Sequence, residues 1–175
     1  MTVIIILGVL IIFCIIVILS KQAKEISKMK HLETQEIIND IFVVKAGNAN
    51  FYLIKNGDEY IAIDAGGNKK ETQKELKKLQ IYPEKVTIVL LTHTDFDHIA
   101  ALGLFGNATI YISKEEVQMI DGTVFRMLFV KNKLNYAYKT LIDNEERCFG
   151  KIKVKTVLMA GHTKGSTSFL IDDKY

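Results

Sequence analysis

The stretch Val86-Thr87-Ile88-Val89-Leu90-Leu91-Thr92-His93-Thr94-Asp95-Phe96-Asp97-His98 opens with a continuous β-branched and leucine run, and packs four metal-ligand side chains into its last six positions. The run has the composition of a strand buried on both faces, as in sheets covered by helices. The six positions after it suit neither regular structure. On a helix, successive residues turn by about 100°, so Asp95 would point away from His93 and Asp97. On a strand, His98 would leave the face shared by the other three. A common centre for His93, Asp95, Asp97 and His98 therefore requires a curled loop at the carboxyl end of a strand, where α/β sheets gather their ligands.

Upstream, residues 41–45, 51–55 and 60–64 are short apolar runs separated by Gly47-Asn48 and Asn56-Gly57, the spacing of a strand meander. Residues 69–80 carry Leu76 and Leu79 at helical spacing among Lys, Glu and Gln, so an amphipathic helix is predicted there, ended by Pro83. Downstream, the pattern predicts a short helix over 99–105, a strand over 109–112 and a helix over 114–120. Residues 125–139 read equally as helix or irregular structure, with Phe125, Met127 and Phe129 as core or lid residues. Residues 152–158 alternate apolar residues with lysine, as a half-exposed strand does. A loop over 161–166 and a strand over 167–171 complete the pattern. Strands alternating only partly with helices indicate an α/β or α+β layered domain. The chain has four histidines, and His162 sits in the loop Gly161-His162-Thr163-Lys164-Gly165-Ser166. Like the first cluster it directly follows a strand, and its glycines permit close backbone approach.

Residues 1–20, MTVIIILGVLIIFCIIVILS, contain no charged side chain. As a helix they would span about 30 Å, the thickness of a bilayer hydrocarbon core, and they are apolar all round. No basic segment precedes them, as a cleaved signal peptide would need. The expectation is a single transmembrane helix over 1–20, a juxtamembrane linker over 21–40 and a domain over 41–175. Lys21, Lys24, Lys28 and Lys30 follow the apolar run and place the domain on the cytoplasmic side by the positive-inside rule. The chain has 175 residues, 49% hydrophobic and 25% charged, enough for one globular core. Its net charge of +3 comes from scattered lysines, with no nucleic-acid footprint. Cys14 and Cys148 are too distant to suggest a disulfide framework and too few for a four-cysteine zinc site. Cys148 reads as a buried apolar filler.

The residues quoted above resemble the metallo-β-lactamase superfamily from about residue 41 to residue 175. The family motif His-x-His-x-Asp-His reads here His93-Thr94-Asp95-Phe96-Asp97-His98, with Asp95 at the second histidine position. The family's Gly-His-Thr-Pro-Gly-Ser reads Gly161-His162-Thr163-Lys164-Gly165-Ser166, and Ile63-Asp64-Ala65-Gly66 looks like its strand-ending Asp-x-Gly turn. The resemblance implies an αββα sandwich, of which this sequence supplies the N-terminal portion. It implies that His93, Asp95 and His162 hold a first metal ion and that Asp97 and His98 hold a second. Asp97 would also be catalytic, orienting the attacking water or passing its proton, while Asp64 would hold the loop by hydrogen bonds.

The expected cofactor is one or two divalent ions. Zinc is expected first, with manganese or iron as alternatives, because Asp95 is harder and more negative than an imidazole. An ion so held lowers the pKa of water towards neutrality and supplies a nucleophile. The expected activity is hydrolysis of an ester, thioester, lactone or phosphodiester-type bond in a small-molecule substrate, and nothing singles out β-lactams. The alternative is a weak or inactive metal-binding or interaction module that retains the fold. The family set also includes a bridging Asp in a Gly-Asp pair and a His nearer the C-terminus. Neither is found before the sequence stops at Ile171-Asp172-Asp173-Lys174-Tyr175. The expectation on sequence grounds is thus a fragment of a longer, membrane-anchored metallohydrolase.

Overall fold

The computed structural model describes residues 2–28, 32–125 and 131–175, without the side chains of residues 2–6, 9, 22, 26 and 27. The chain divides into two units, Met1–His31 and Leu32–Tyr175.

The first unit contains helix α1 (Thr2–Lys28). Among the described residues no helix is long and apolar enough to cross a membrane. The contiguous apolar run with described side chains, residues 10–19, rises about 15 Å, half of a hydrocarbon core. Residues 1–6 and 9 of the expected span lie outside the described side chains, as Lys30 does. The single-pass membrane placement, and the cytoplasmic side drawn from the lysines, are corrected on this ground.

In the second unit, period-two alternation of apolar residues builds strands with two usable faces. The first four are β1 (Gln35–Ile38), β2 (Ile41–Ala46), β3 (Ala49–Asn56) and β4 (Glu59–Ile63). They pair antiparallel in sequence order. Gly57, at φ 68°, supplies the tight turn between β3 and β4. Helix α2 (Lys69–Lys78) then carries the chain to β5 (Val86–Leu90), which pairs parallel with β4. Asn68 caps α2 by accepting the Glu71 N–H, and Leu76 on its apolar face is fully buried. Parallel pairing continues to β6 (Thr109–Ser113) and β7 (Tyr138–Leu141), completing a seven-stranded sheet. A three-stranded antiparallel sheet follows, formed by β8 (Glu146–Phe149), β9 (Ile152–Leu158) and β10 (Thr167–Ile171), with β9 in the middle.

Two hydrophobic layers result. Val44, Phe51, Leu53, Ala62, Val89 and Ile112 project to the α2 side of the large sheet, where they meet Leu76, Leu102 and Phe105. Ile54, Ile61, Leu90, Tyr111 and Leu141 project to the other side and meet Phe149, Val154 and Ile171 of the small sheet. Each fully buried large side chain contributes about 1.5–3 kcal/mol. The layering among the described residues is helix, sheet, sheet.

Four local expectations change. Residues 35–38, expected in the linker, form β1, whose backbone pairs with β2 although its side chains are exposed. The helix predicted over 99–105 is instead a short α3 (Phe96–Ile99) and a 3-10 turn over Leu102–Leu104. In the ambiguous 125–139 region, Met127 and Phe129 lie outside the described residues, while β7 begins at Tyr138. Cys148 is exposed on β8, not buried, because Phe149 takes the inward position.

Candidate metal centre

The chain leaves β5 at Leu90 and enters α3 at Phe96, so residues 91–95 form the curled segment that the ligand spacing demands. Two neighbouring turns hold it. The first follows β4: Asp64 adopts φ 66°, its N–H donates to the Leu90 carbonyl at 2.9 Å, and the Ala65 N–H donates to the His98 carbonyl at 2.8 Å. The second is the β9–β10 loop, joined to the first segment where the Thr167 N–H donates to the Thr92 carbonyl at 2.9 Å.

These contacts bring three ligand side chains together. The ligand atoms of His93, Asp95 and His162 all lie within 4.8 Å of one another. Asp95 Oδ2 is 3.1 Å from His162 Nε2 and 3.6 Å from His93 Nε2. Asp97 and His98 lie beside this group. The His93 and His98 ring centres are 4.0 Å apart, and His98 Nε2 is 3.8 Å from Asp97 Oδ2. Among the described residues, Asp97 and His98 are not joined by a further ligand-type side chain into a second group of three.

Hydrogen bonds fix how the histidines face. The Thr92 hydroxyl donates to Asp64 Oδ2 at 2.8 Å, so its oxygen accepts from His93 Nδ1–H at 2.9 Å. That tautomer leaves the lone pair of His93 Nε2 aimed at the centre. His98 Nδ1–H donates directly to Asp64 Oδ2 at 2.8 Å, again leaving Nε2 free to coordinate. One carboxylate, Asp64, thus orients two imidazoles, the arrangement typical behind metal-ligating histidines. Burial, then the neighbouring His98, hold the His93 pKa below the ordinary imidazole value, so it stays neutral. At His98 burial also disfavours charge, but the hydrogen bond to Asp64 and the charges of Asp64 and Asp97 outweigh it and raise its pKa.

The decisive observation is His93 Nε2. It is buried and has no hydrogen-bond partner among the described residues. Leaving a buried polar atom unpaired costs about 1–3 kcal/mol. A divalent ion shared with Asp95 and His162 would satisfy it, and two imidazoles with one carboxylate form a donor set such ions accept. The residues present therefore fit a metal.

Several contributors were not visible in the ligand pattern. Asn132 Nδ2 donates to Asp95 Oδ1 at 3.1 Å and to Thr94 Oγ1 at 2.9 Å, turning the other Asp95 oxygen to the centre. Glu116 is fully buried, with its carboxylate between Thr94 and Thr163. A signal for Glu116 does exist, because Ser113-Lys114-Glu115-Glu116 reads as a capping box. Only half of the box forms: Ser113 Oγ accepts the Glu116 N–H at 3.2 Å, while the Glu116 side chain turns to the site. Beside His162, a cavity of about 420 Å³ is lined by Met119, Val124, Phe125 and the loop residues up to Lys164.

The model of the metallo-beta-lactamase superfamily matches residues 44–175. A probable metallo-hydrolase of Streptococcus pyogenes serotype M6 is 35% identical over 80 residues, covering 43% of this chain and 33% of that protein. The N-acyl homoserine lactonase AttM of Azorhizobium caulinodans is 29% identical over 105 residues, covering 55% of this chain and 40% of that protein. Among solved structures, a metallo-β-lactamase of Cronobacter sakazakii with a HARLDQ motif superposes with a TM-score of 0.68 at 17% identity, covering 80% of this chain and 60% of that one. The chain therefore spans only about a third to two fifths of the length of these two curated relatives. The likeness to the solved structure concerns the fold.

Proposed function

Because this chain belongs to the metallo-β-lactamase superfamily, we propose that it is the ligand-bearing part of a metal-dependent hydrolase that cleaves an ester, thioester, lactone or phosphodiester-type bond in a small molecule. The observation that carries this reading is the buried His93 Nε2, without a hydrogen-bond partner among the described residues and facing a centre shared with Asp95 and His162. These three residues would hold a first divalent ion, and Asp97 and His98 would contribute to a second. A bound ion supplies Lewis acidity and lowers the pKa of water towards neutrality. The chain's own residues do the rest. Asp97 is half-exposed at the start of α3, where it accepts a proton from, and orients, the attacking water. Met119, Val124 and Phe125 offer an apolar wall beside His162, suited to an acyl arm of the kind a lactone or thioester carries. The lactonase among the relatives supports that preference.

Zinc is the proposed ion, with manganese or iron favoured to the extent that Asp95 hardens the site. The test uses the full chain. Metal content is measured after purification without chelators, and turnover is measured on generic ester, thioester, lactone and phosphodiester substrates. The reading expects bound metal, turnover of at least one class, and loss of both in His162→Ala. Wild-type protein that binds no added zinc or manganese overturns it. A second reading, an ion-binding module with little or no turnover, is favoured by the short second set, only Asp97 and His98 among the described residues. It expects bound metal with no hydrolysis of any class.

A further inference from the structure

We propose that Glu116 is a positioning residue that locks the two ligand-bearing loops into one metal site. The inference rests on the reading of His93, Asp95 and His162 as ligands, and adds what sets their spacing. His162 and Asp95 are 67 residues apart in sequence, on loops attached to different sheets. Something must fix the distance between those loops before an ion arrives. Glu116 divides its two oxygens between them. Oε1 accepts the Thr94 N–H at 2.8 Å and the Thr94 hydroxyl at 2.7 Å. Oε2 accepts the Thr163 hydroxyl at 2.6 Å and the Gly165 N–H at 3.2 Å.

Each anchor point adjoins a ligand. Thr94 lies between His93 and Asp95, and Thr163 follows His162. With the backbone extended at Asp95, neighbouring side chains point to opposite sides, so Thr94 faces Glu116 while its neighbours face the centre. The element behind the carboxylate is itself tied to the second loop, since the Ser113 hydroxyl donates to the Gly165 carbonyl at 2.7 Å. Gly165 presses so close to the Glu116 backbone that a Cβ there would overlap its N and Cα atoms. A carboxylate this deeply buried costs several kcal/mol in desolvation, and an apolar residue of its size commonly stabilises a core as well or better. Four donors offset that cost, and what the arrangement gains over an apolar residue is a fixed gap between two loops.

The experiment measures zinc affinity of the full chain by chelator competition, beside thermal unfolding of the chelated protein, for Glu116→Gln, Thr163→Val, Thr163→Ser and the Glu116→Gln/Thr163→Val pair. Glu116→Gln places an amide donor against the donors of one loop. Thr163→Val removes one hydroxyl without changing shape, and Thr163→Ser restores it. The expected result is a roughly 10–100-fold loss of zinc affinity in Glu116→Gln and in Thr163→Val, the range seen when groups behind metal ligands are removed. Thr163→Ser should bind as wild type, and the double variant should lose no more than Glu116→Gln alone. Folded Glu116→Gln with wild-type affinity overturns the proposal, as does full additivity in the double variant. If Glu116→Gln does not fold, equal affinities in wild type, Thr163→Val and Thr163→Ser overturn it. Failure of wild-type protein to bind zinc at all is a separate outcome, and removes the ligand assignment on which the proposal stands.

Discussion

Asp95 stands where the family places its second histidine, and the surrounding residues accommodate the change. Asn132 donates to one of its oxygens and leaves the other between His93 and His162. A carboxylate in that place makes the donor set harder, so Asp95→His should raise the preference for zinc over manganese in a competition experiment read by metal analysis. An unchanged ratio would show that Asp95 does not contact the ion. Removing its support, in Asn132→Leu, should weaken metal binding by about tenfold or more in the same chelator titration. The ligand types were legible in the sequence because histidine is rare here and two of the four lie within six positions. The roles of Glu116, Asn132 and Thr163 at the site were not, although Glu116 lies in a capping-box pattern and Thr163 in the Gly-His-Thr motif. Each is a common surface residue type, and its importance comes from burial and from partners 22 to 47 residues away, a pairing that local patterns do not record.

At the level of elements, the strands with strong alternation or long apolar runs could be read directly: β2 to β6, β9 and β10. Strands β7 and β8 could not, because each is four residues long and offers the core little apolar area. Backbone pairing holds both, β7 to β6 and β8 to β9, and side chains join β8 to the large sheet. Tyr111 packs against Phe149, with the Arg147 guanidinium 5.4 Å from its ring centre. In the turn between β7 and β8, Glu145 accepts the Ile142 N–H at 2.9 Å. This backbone hydrogen bond, opposed by burial and helped by Arg147, holds the Glu145 pKa below the ordinary carboxylate value. The stabilisation is therefore fully present above that ordinary value and is lost as pH falls through the lower folded one. Glu145→Gln should flatten the acid limb of the chelated protein's melting temperature against pH, and an unaltered profile would refute the assignment. The packing of the β9–β10 loop on the turn before α4 (Val117–Asp121) is tested by Gly165→Ala. Overlap with Glu116 should cost about 1–3 kcal/mol in denaturant unfolding, and a neutral result would mean that the two segments separate readily.

For the molecule as a whole, apolar periodicity indicated a layered α/β domain, but not that β8 to β10 would form a sheet of their own. That division depends on which edges pair, which side-chain pattern does not specify. Nor does an uncharged N-terminal run by itself make a membrane span; among the described residues no helix meets the length and hydropathy required. The site sits where both sheets contribute, His93 and Asp95 after β5 of the large one and His162 between β9 and β10 of the small one. An ion bound there cross-links them. Zinc at 100 times its dissociation constant should stabilise the fold by about 2.7 kcal/mol, read as a rise in melting temperature that chelation reverses. No zinc-dependent shift would mean that zinc binds the folded chain no more tightly than the unfolded one. The same geometry has a temporal side. An ion held by ligands from both loops would leave only after His162 on one loop and His93 and Asp95 on the other let go, so its residence time would report how tightly the two loops stay together. Exchange of labelled zinc, followed over hours, would give the mean rate of that release from the folded molecule.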